Sequence, residues 1–148
     1  MGNLFFTADH HFGHKKILAY SSRPFASLEE MDETMITRWN EVVGVDDEVY
    51  HLGDVGLYSS GKLRQILQRL NGKIYLIRGN HEKAAEACHT RFEWIKDYYE
   101  LVVPDPDHER GQQLVVLLHY AMRTWNTHHW GSYHLYGHSH GTLPDDPH

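Results

Sequence analysis

Three observations predict an α/β domain of mixed sheets with helices outside. Short apolar runs alternate with helical segments through the first half of the chain. Strand-like runs dominate the second half. Polar residues and glycines follow almost every run. The chain is 148 residues long, 41% hydrophobic and 23% charged, which suits one domain over 1–148 with one sizeable core.

The first strand is expected over residues 4–7, in "LFFT", and a short helix over 14–20. "SLEEMDETMITRWNEVV" opens on Ser27 with Glu30 three residues later, the pattern of a capping box. Its Leu28, Met31, Met35, Trp39 and Val42 fall on one face at helical spacing, and the Met and Trp positions are expected to be core. A second strand follows over 48–52. "GKLRQILQRLNG" then puts Leu63, Ile66, Leu67 and Leu70 on one face before Asn71-Gly72 stops the helix. A third strand is expected over 73–78, a short helix near 82–89, and strands over 100–103, 114–118 and 133–136. "VVPDPDHERGQQ" reads as a hairpin loop with Pro104 and Pro106 as breakers, and the tail 141–148 as loose.

Composition narrows the function. No apolar run approaches the ~20 residues that span a bilayer. The start "MGNLFFTADH" lacks a basic region followed by an apolar one, and Cys88 is the single cysteine. Both features favour a cytoplasmic protein with no membrane partner. A net charge of −6 argues against gripping long nucleic acid by its phosphates, although bound divalent cations would add positive charge that the sequence does not display.

Histidine is the anomaly, 14 of 148 residues. Many histidines sit in short turns after apolar runs, as ligand-bearing loops do. Asp9 and His11 follow the first strand, Asp54 the second and Asn80 the third. His119 follows "VVLL", and His138 and His140 follow the last strand. Ligands of open α/β sheets bind beyond the carboxyl ends of strands, so these groups should share one rim. In extended chain, residues two apart point the same way. Asp9 and His11 should therefore face the site and His10 away from it, and His138 should face inward with His140. Seven imidazole, carboxylate and amide groups are too many for one ion with open positions. They suit two divalent transition metals, Mn, Zn, Fe or Ni, sharing one carboxylate. Such a centre favours displacement at phosphorus.

The order D-x-H, G-D, G-N-H-[DE], H, G-H-x-H resembles the calcineurin-like metallophosphoesterases. Here it reads Asp9-His10-His11, Gly53-Asp54, Gly79-Asn80-His81-Glu82, His119 and Gly137-His138-Ser139-His140. "HFGHKKIL", "RPF", "MDETMI" and "HYAMRTW" are similar to stretches of small bacterial and phage members. The resemblance implies two mixed sheets packed as a sandwich with flanking helices, in four layers and without a cap domain. It implies that Asp9, His11 and His140 hold one metal, that Asn80, His119 and His138 hold the other, and that Asp54 bridges them. His81 would act on the substrate as catalytic acid, with Glu82 its orienting partner. The implied reaction is in-line hydrolysis of a phosphomonoester or phosphodiester by a hydroxide held on the metals. Small phosphate esters or nucleotides are the expected substrates; the alternatives are a nuclease acting on nucleic-acid ends or single strands, or a non-catalytic metal-binding interaction module of the same fold.

Two further residues are candidates for substrate binding. His14 lies one helical turn beyond His11, and Arg123 follows His119 and could clamp a phosphate. Trp125 could stack on a base. A core role is the simpler expectation for Trp125, and a structural role for His128, His129 and His134.

Overall fold

The computed structural model describes residues 2–144. In chain order the elements are β1 (Leu4–Thr7), α1 (Ile17–Tyr20), α2 (Leu28–Val42), β2 (Glu48–His51), α3 (Ser60–Arg69), β3 (Lys73–Ile77), α4 (Lys83–Ala87), β4 (Phe92–Lys96), β5 (Tyr98–Pro104), β6 (Gln112–Leu118) and β7 (Tyr133–Leu135). Residues 141–144 are exposed; the rest of the expected loose tail, 145–148, lies outside the described residues.

Strands β1, β2, β3 and β4 form one sheet in that order, every pair parallel. In the second sheet β5 and β6 make an antiparallel hairpin, and β7 lies parallel to β6. The expectation of two mixed sheets therefore needs correction: only the second is mixed. Each link from β1 to β4 passes through helix, and such a crossover returns the chain in its original direction. Strand β4 was not anticipated. It is separated from β5 by Asp97 alone, so the chain changes sheets within one continuous strand-like stretch, "FEWIKDYYELVVP".

Alternation along the strands builds two cores. Val49, Ile74 and Leu76 join a cluster with Ile36 and Trp39 of α2 and Leu63, Ile66 and Leu67 of α3. Tyr50 and Ile77 point the other way and cluster with Val115 and Leu117 of β6. The parallel sheet is thus covered by helices on one face and by the second sheet on the other, as a parallel sheet requires.

Helix α2 begins as its sequence dictates. The Glu30 N–H donates to Ser27 Oγ at 3.1 Å, and Glu30 Oε2 reaches back to accept from the Ala26 N–H at 2.7 Å. Its buried face is Met31, Asp32, Ile36 and Trp39, whereas Val42 is 62% exposed. Of the expected core positions Met31 and Trp39 are buried, and Met35, partly buried, packs against the same core as Trp39, whereas Val42, placed on the same face, is turned to solvent. The buried acid, Asp32, is held by Tyr58 Oη and the Gly13 N–H. No helix among the described residues is long and apolar enough to cross a membrane.

Candidate metal centre

Parallel pairing continues past the strand ends and fixes the loops that carry the polar groups. The N–H groups of Asp9, His11 and Phe12 donate to the carbonyls of Gly53, Asp54 and Val55 at 2.9–3.0 Å. The loops after β1 and β2 therefore run side by side. Beyond β6 and β7, the Gly137 N–H donates to the His119 carbonyl at 2.9 Å. Two sheets thereby deliver their loops to one place. Gly53 and Gly79 are required at the crossing. Gly53 has φ +106°, and a Cβ on Gly79 would lie 2.5 Å from Asp54 Oδ1.

Two ligand groups result. Asp9, His11 and His140 form one, and Asp54, His119 and His138 the other; within each, the candidate ligand atoms lie within 4.8 Å of one another. Asp54 Oδ2 sits between them, 3.5 Å from His11 Nε2 and 3.4 Å from His119 Nε2. The Asn80 side-chain amide lies 3.0 Å from His119 Nε2 and 3.2 Å from His138 Nδ1, so Asn80 belongs with the second group. The structure brings together all seven residues expected from the sequence.

Hydrogen bonds outside the cluster orient the imidazoles. His119 Nδ1 lies 2.7 Å from the Leu52 carbonyl, which can only accept, so this nitrogen carries the proton and leaves Nε2 free to bind a cation. Ser21 Oγ engages His140 Nδ1 at 3.2 Å, and His14 Nδ1 engages His11 Nδ1 at 2.9 Å. His11 Nε2 is buried and has no hydrogen-bond partner among the described residues. A buried polar atom without a partner is costly. A cation there would satisfy it, and the donor set of imidazole, carboxylate and one amide suits a divalent transition metal. The residues therefore fit the implied group. The floor of the cluster, His11, Asp54 and His119, is buried, while Asn80 and His138 are exposed, so the centre is open on one side.

The electrostatics agree with a site for cations. Burial would raise the Asp54 carboxyl, but bonds from His119 and the His81 N–H outweigh it and hold the group down at about 2. Burial pushes the His11 imidazole down to about 3 despite Asp54. A neutral imidazole beside an ionised carboxylate is the form that ligates metal.

The side chains picked by alternation do converge, but not on the extended backbone that alternation assumes. Seven non-glycine residues among those described have positive φ, and five are Asp9, His11, Asp54, His138 and His140. The left-handed conformation costs a non-glycine residue about 1–2 kcal/mol, although Asp and His tolerate it better than most. These loops are turned rather than extended, and the strain sits at the candidate ligands.

His10 faces away, as expected. It is packed between Phe12 and Trp39, each ring centroid 5.3 Å distant, and its Nδ1 meets His51 Nε2 at 2.9 Å. Burial lowers His10 to about 4, which keeps it neutral. His51 in turn accepts from the Gly53 N–H at 3.1 Å and so supports the turn that carries Asp54. His14 is the hydrogen-bond partner of His11 rather than a member of either ligand group. The His81 ring lies 5.5 Å from those of His11 and His14, and the backbone N–H of His81 donates to Asp54 Oδ1 at 2.8 Å.

Glu82 needs correction. It is not placed to orient His81: its carboxylate accepts from the N–H groups of Asp54, Val55 and Gly79 at 2.7–2.8 Å. It is a buried brace joining the loops after β2 and β3. Arg123 is exposed, and no hydrogen bond or ion pair with the described residues ties it to the cluster. Trp125 stacks on His128 at 3.9 Å and donates to the Ser132 carbonyl at 3.1 Å, a structural role. His134 is also structural, bonded to the Val116 carbonyl and the Met122 N–H.

Arg23 has a role that the sequence did not disclose. Its guanidinium donates to the carbonyls of Asp9 and His10 and rests against the sulfurs of Met31 and Met35. It thereby clamps the turn bearing Asp9. "RPF" marked the position without showing what the arginine reaches.

No family model matches the chain. It is 40% identical over 111 residues to uncharacterized protein MJ1445 of Methanocaldococcus jannaschii, an alignment covering 72% of this chain and 61% of that protein. It is 28% identical to the gene 66 protein of Mycobacterium phage L5, covering 97% of this chain and 80% of the phage protein. The fold resembles the crystal structure of a protein of unknown function, AQ665, from Aquifex aeolicus. The TM-score is 0.62 at 27% identity, over 79% of this chain and 60% of that one. The chain thus spans about three-fifths of the length of the Methanocaldococcus relative.

Proposed function

We propose that this chain is a dinuclear metal-dependent phosphoesterase of the calcineurin-like kind, its two sheets and helices forming that family's layered sandwich. One observation carries the reading. A single carboxylate oxygen, Asp54 Oδ2, lies about equally far from an imidazole of each ligand group, 3.5 Å from His11 and 3.4 Å from His119. A shared carboxylate is what a pair of metals requires.

Asp9, His11 and His140 would hold one ion, and Asn80, His119 and His138 the other, with Asp54 common to both. When bound, two divalent cations supply a nucleophilic hydroxide at neutral pH and neutralise charge developing on the phosphoryl oxygens. The protein's own groups do the rest. His14, Ser21 and the Leu52 carbonyl fix the rings of His11, His140 and His119. Arg23 and Glu82 hold the strained loops. His81, beside the cluster but outside both ligand groups, donates a proton to the departing oxygen of the ester. The exposed edge at Asn80 and His138 admits a small phosphate ester or nucleotide. We place the protein in the cytoplasm, which suits its single, buried Cys88.

The test is a panel of phosphomonoesters, phosphodiesters and single-stranded oligonucleotides, assayed after chelation and after reloading with Mn, Zn, Fe or Ni. Hydrolysis is expected only in the reloaded protein. Robust turnover by fully demetallated protein would overturn the reading.

A further inference from the structure

We propose that the alcohol half of the ester occupies the cleft between residues 56–60 and 80–87. We infer that this cleft selects a bulky, largely uncharged leaving group of nucleoside size. The inference rests on the phosphoesterase reading above and deepens it.

The cleft has a volume of about 510 Å³, within the usual range for small-molecule sites. It begins at the candidate metal centre, because Asn80 and His81 belong to its lining. Asn80 and His81 are therefore common to the cluster and the cleft, and His81 is the imidazole of the two. A proton given by His81 goes to the oxygen that departs with the alcohol, so the alcohol lies on the cleft side of phosphorus.

The chemistry of the walls sets the class. Leu57 is 44% exposed at this face, and Ala84 and Ala87 of α4 leave the width of the cleft unfilled. The Tyr58 ring contributes a wall, but its hydroxyl is engaged by Asp32 at 2.5 Å. Both oxygens of Glu82 are engaged by backbone N–H groups. Ser59 and Ser60 add small polar groups, and Lys83 is the one cationic side chain in the lining. Apolar surface, two hydroxyls and one ammonium suit a sugar bearing a planar base. They do not compensate the further dianion of a bisphosphate, whose desolvation would go unrepaid.

The experiment compares phosphate release from a primary ester in three substrates on the metal-loaded protein: thymidine 5′-phosphate, glycerol 3-phosphate and, at its 5′ position, thymidine 3′,5′-bisphosphate. The expected kcat/KM for thymidine 5′-phosphate exceeds that for either of the others by about tenfold or more, the scale on which a shaped pocket discriminates. Ala87→Phe, at an exposed position, should remove about tenfold from thymidine 5′-phosphate and leave glycerol 3-phosphate within about twofold. A second readout needs neither metal nor phosphate. Thymidine alone, titrated into metal-free protein, should shift the backbone amide resonances of Leu57, Tyr58, Ala84 and Ala87. Equal kcat/KM for the three esters, an equal loss on both in Ala87→Phe, or shifts that miss these four amides would overturn the inference. Hydrolysis of no ester, with those four amides still shifting, would overturn the phosphoesterase reading while upholding the cleft as a nucleoside site.

Discussion

Arg23 offers the sharpest test of how the centre is held. Its two guanidinium nitrogens reach two successive carbonyls, those of Asp9 and His10, and Asp9 has a φ of 57°. Arg23→Met keeps an unbranched apolar stem of similar length and removes both bonds. Arg23→Lys keeps the charge, but a point donor cannot serve two carbonyls in the same fork geometry. A hydrogen bond from a charged group contributes about 1.5–3 kcal/mol, at the lower end when half-buried. Arg23→Lys should therefore lose about 2 kcal/mol and Arg23→Met about 3 kcal/mol. In a domain of this size those losses lower Tm by roughly 4–8 °C and 6–12 °C. The assay is thermal unfolding followed by circular dichroism in excess chelator, so that metal binding does not mask the difference. Calorimetric metal titration gives the second half. With its clamp gone, the Asp9 turn relaxes from a conformation that costs about 1–2 kcal/mol, so affinity at Asp9, His11 and His140 should fall about tenfold. The site of Asp54, His119 and His138 should change little. Unchanged Tm in Arg23→Met, or an equal weakening of both sites, would refute the reasoning.

Three further predictions follow the geometry. His10→Ala should cost about 3 kcal/mol of stability by emptying space between Phe12 and Trp39, yet keep two metals per chain; His11→Ala should bind one fewer, and elemental analysis distinguishes the two. Asp54→Asn should weaken both metal sites, because Oδ2 faces both groups; loss confined to one site in a metal titration would rule out a bridging role. His81→Ala should keep its metals and lose about 10²–10⁴ in rate on esters with alkoxide leaving groups, and far less on p-nitrophenyl esters. Equal losses on the two would exclude proton donation.

The sequence by itself determined most elements and which seven polar residues converge. Hydrophobic periodicity placed β1, β2, β3, β6, α2 and α3 to within a residue or two, because each buries one face and that face repeats at the period of its own backbone. The seven candidate ligands were legible because each follows a strand, where a sheet collects its loops. Tertiary structure decided what local pattern cannot encode. Strand β4 was hidden because it runs into β5 with a single residue between them, and only packing reveals where the chain leaves one sheet for the other. Val42 shares the spacing of the apolar face but is turned to solvent, since which residues of a helix are buried depends on what lies against it. Glu82 followed His81 in sequence but spends its carboxylate on Asp54, Val55 and Gly79, amides it meets only because β2 and β3 are neighbours. Arg23, in the segment between α1 and α2, reaches back to the carbonyls of Asp9 and His10 while its guanidinium rests against Met31 and Met35 of α2. Side-chain identity fixes which chemistry a residue can offer, whereas the partner that uses it is set by contacts between segments distant in sequence.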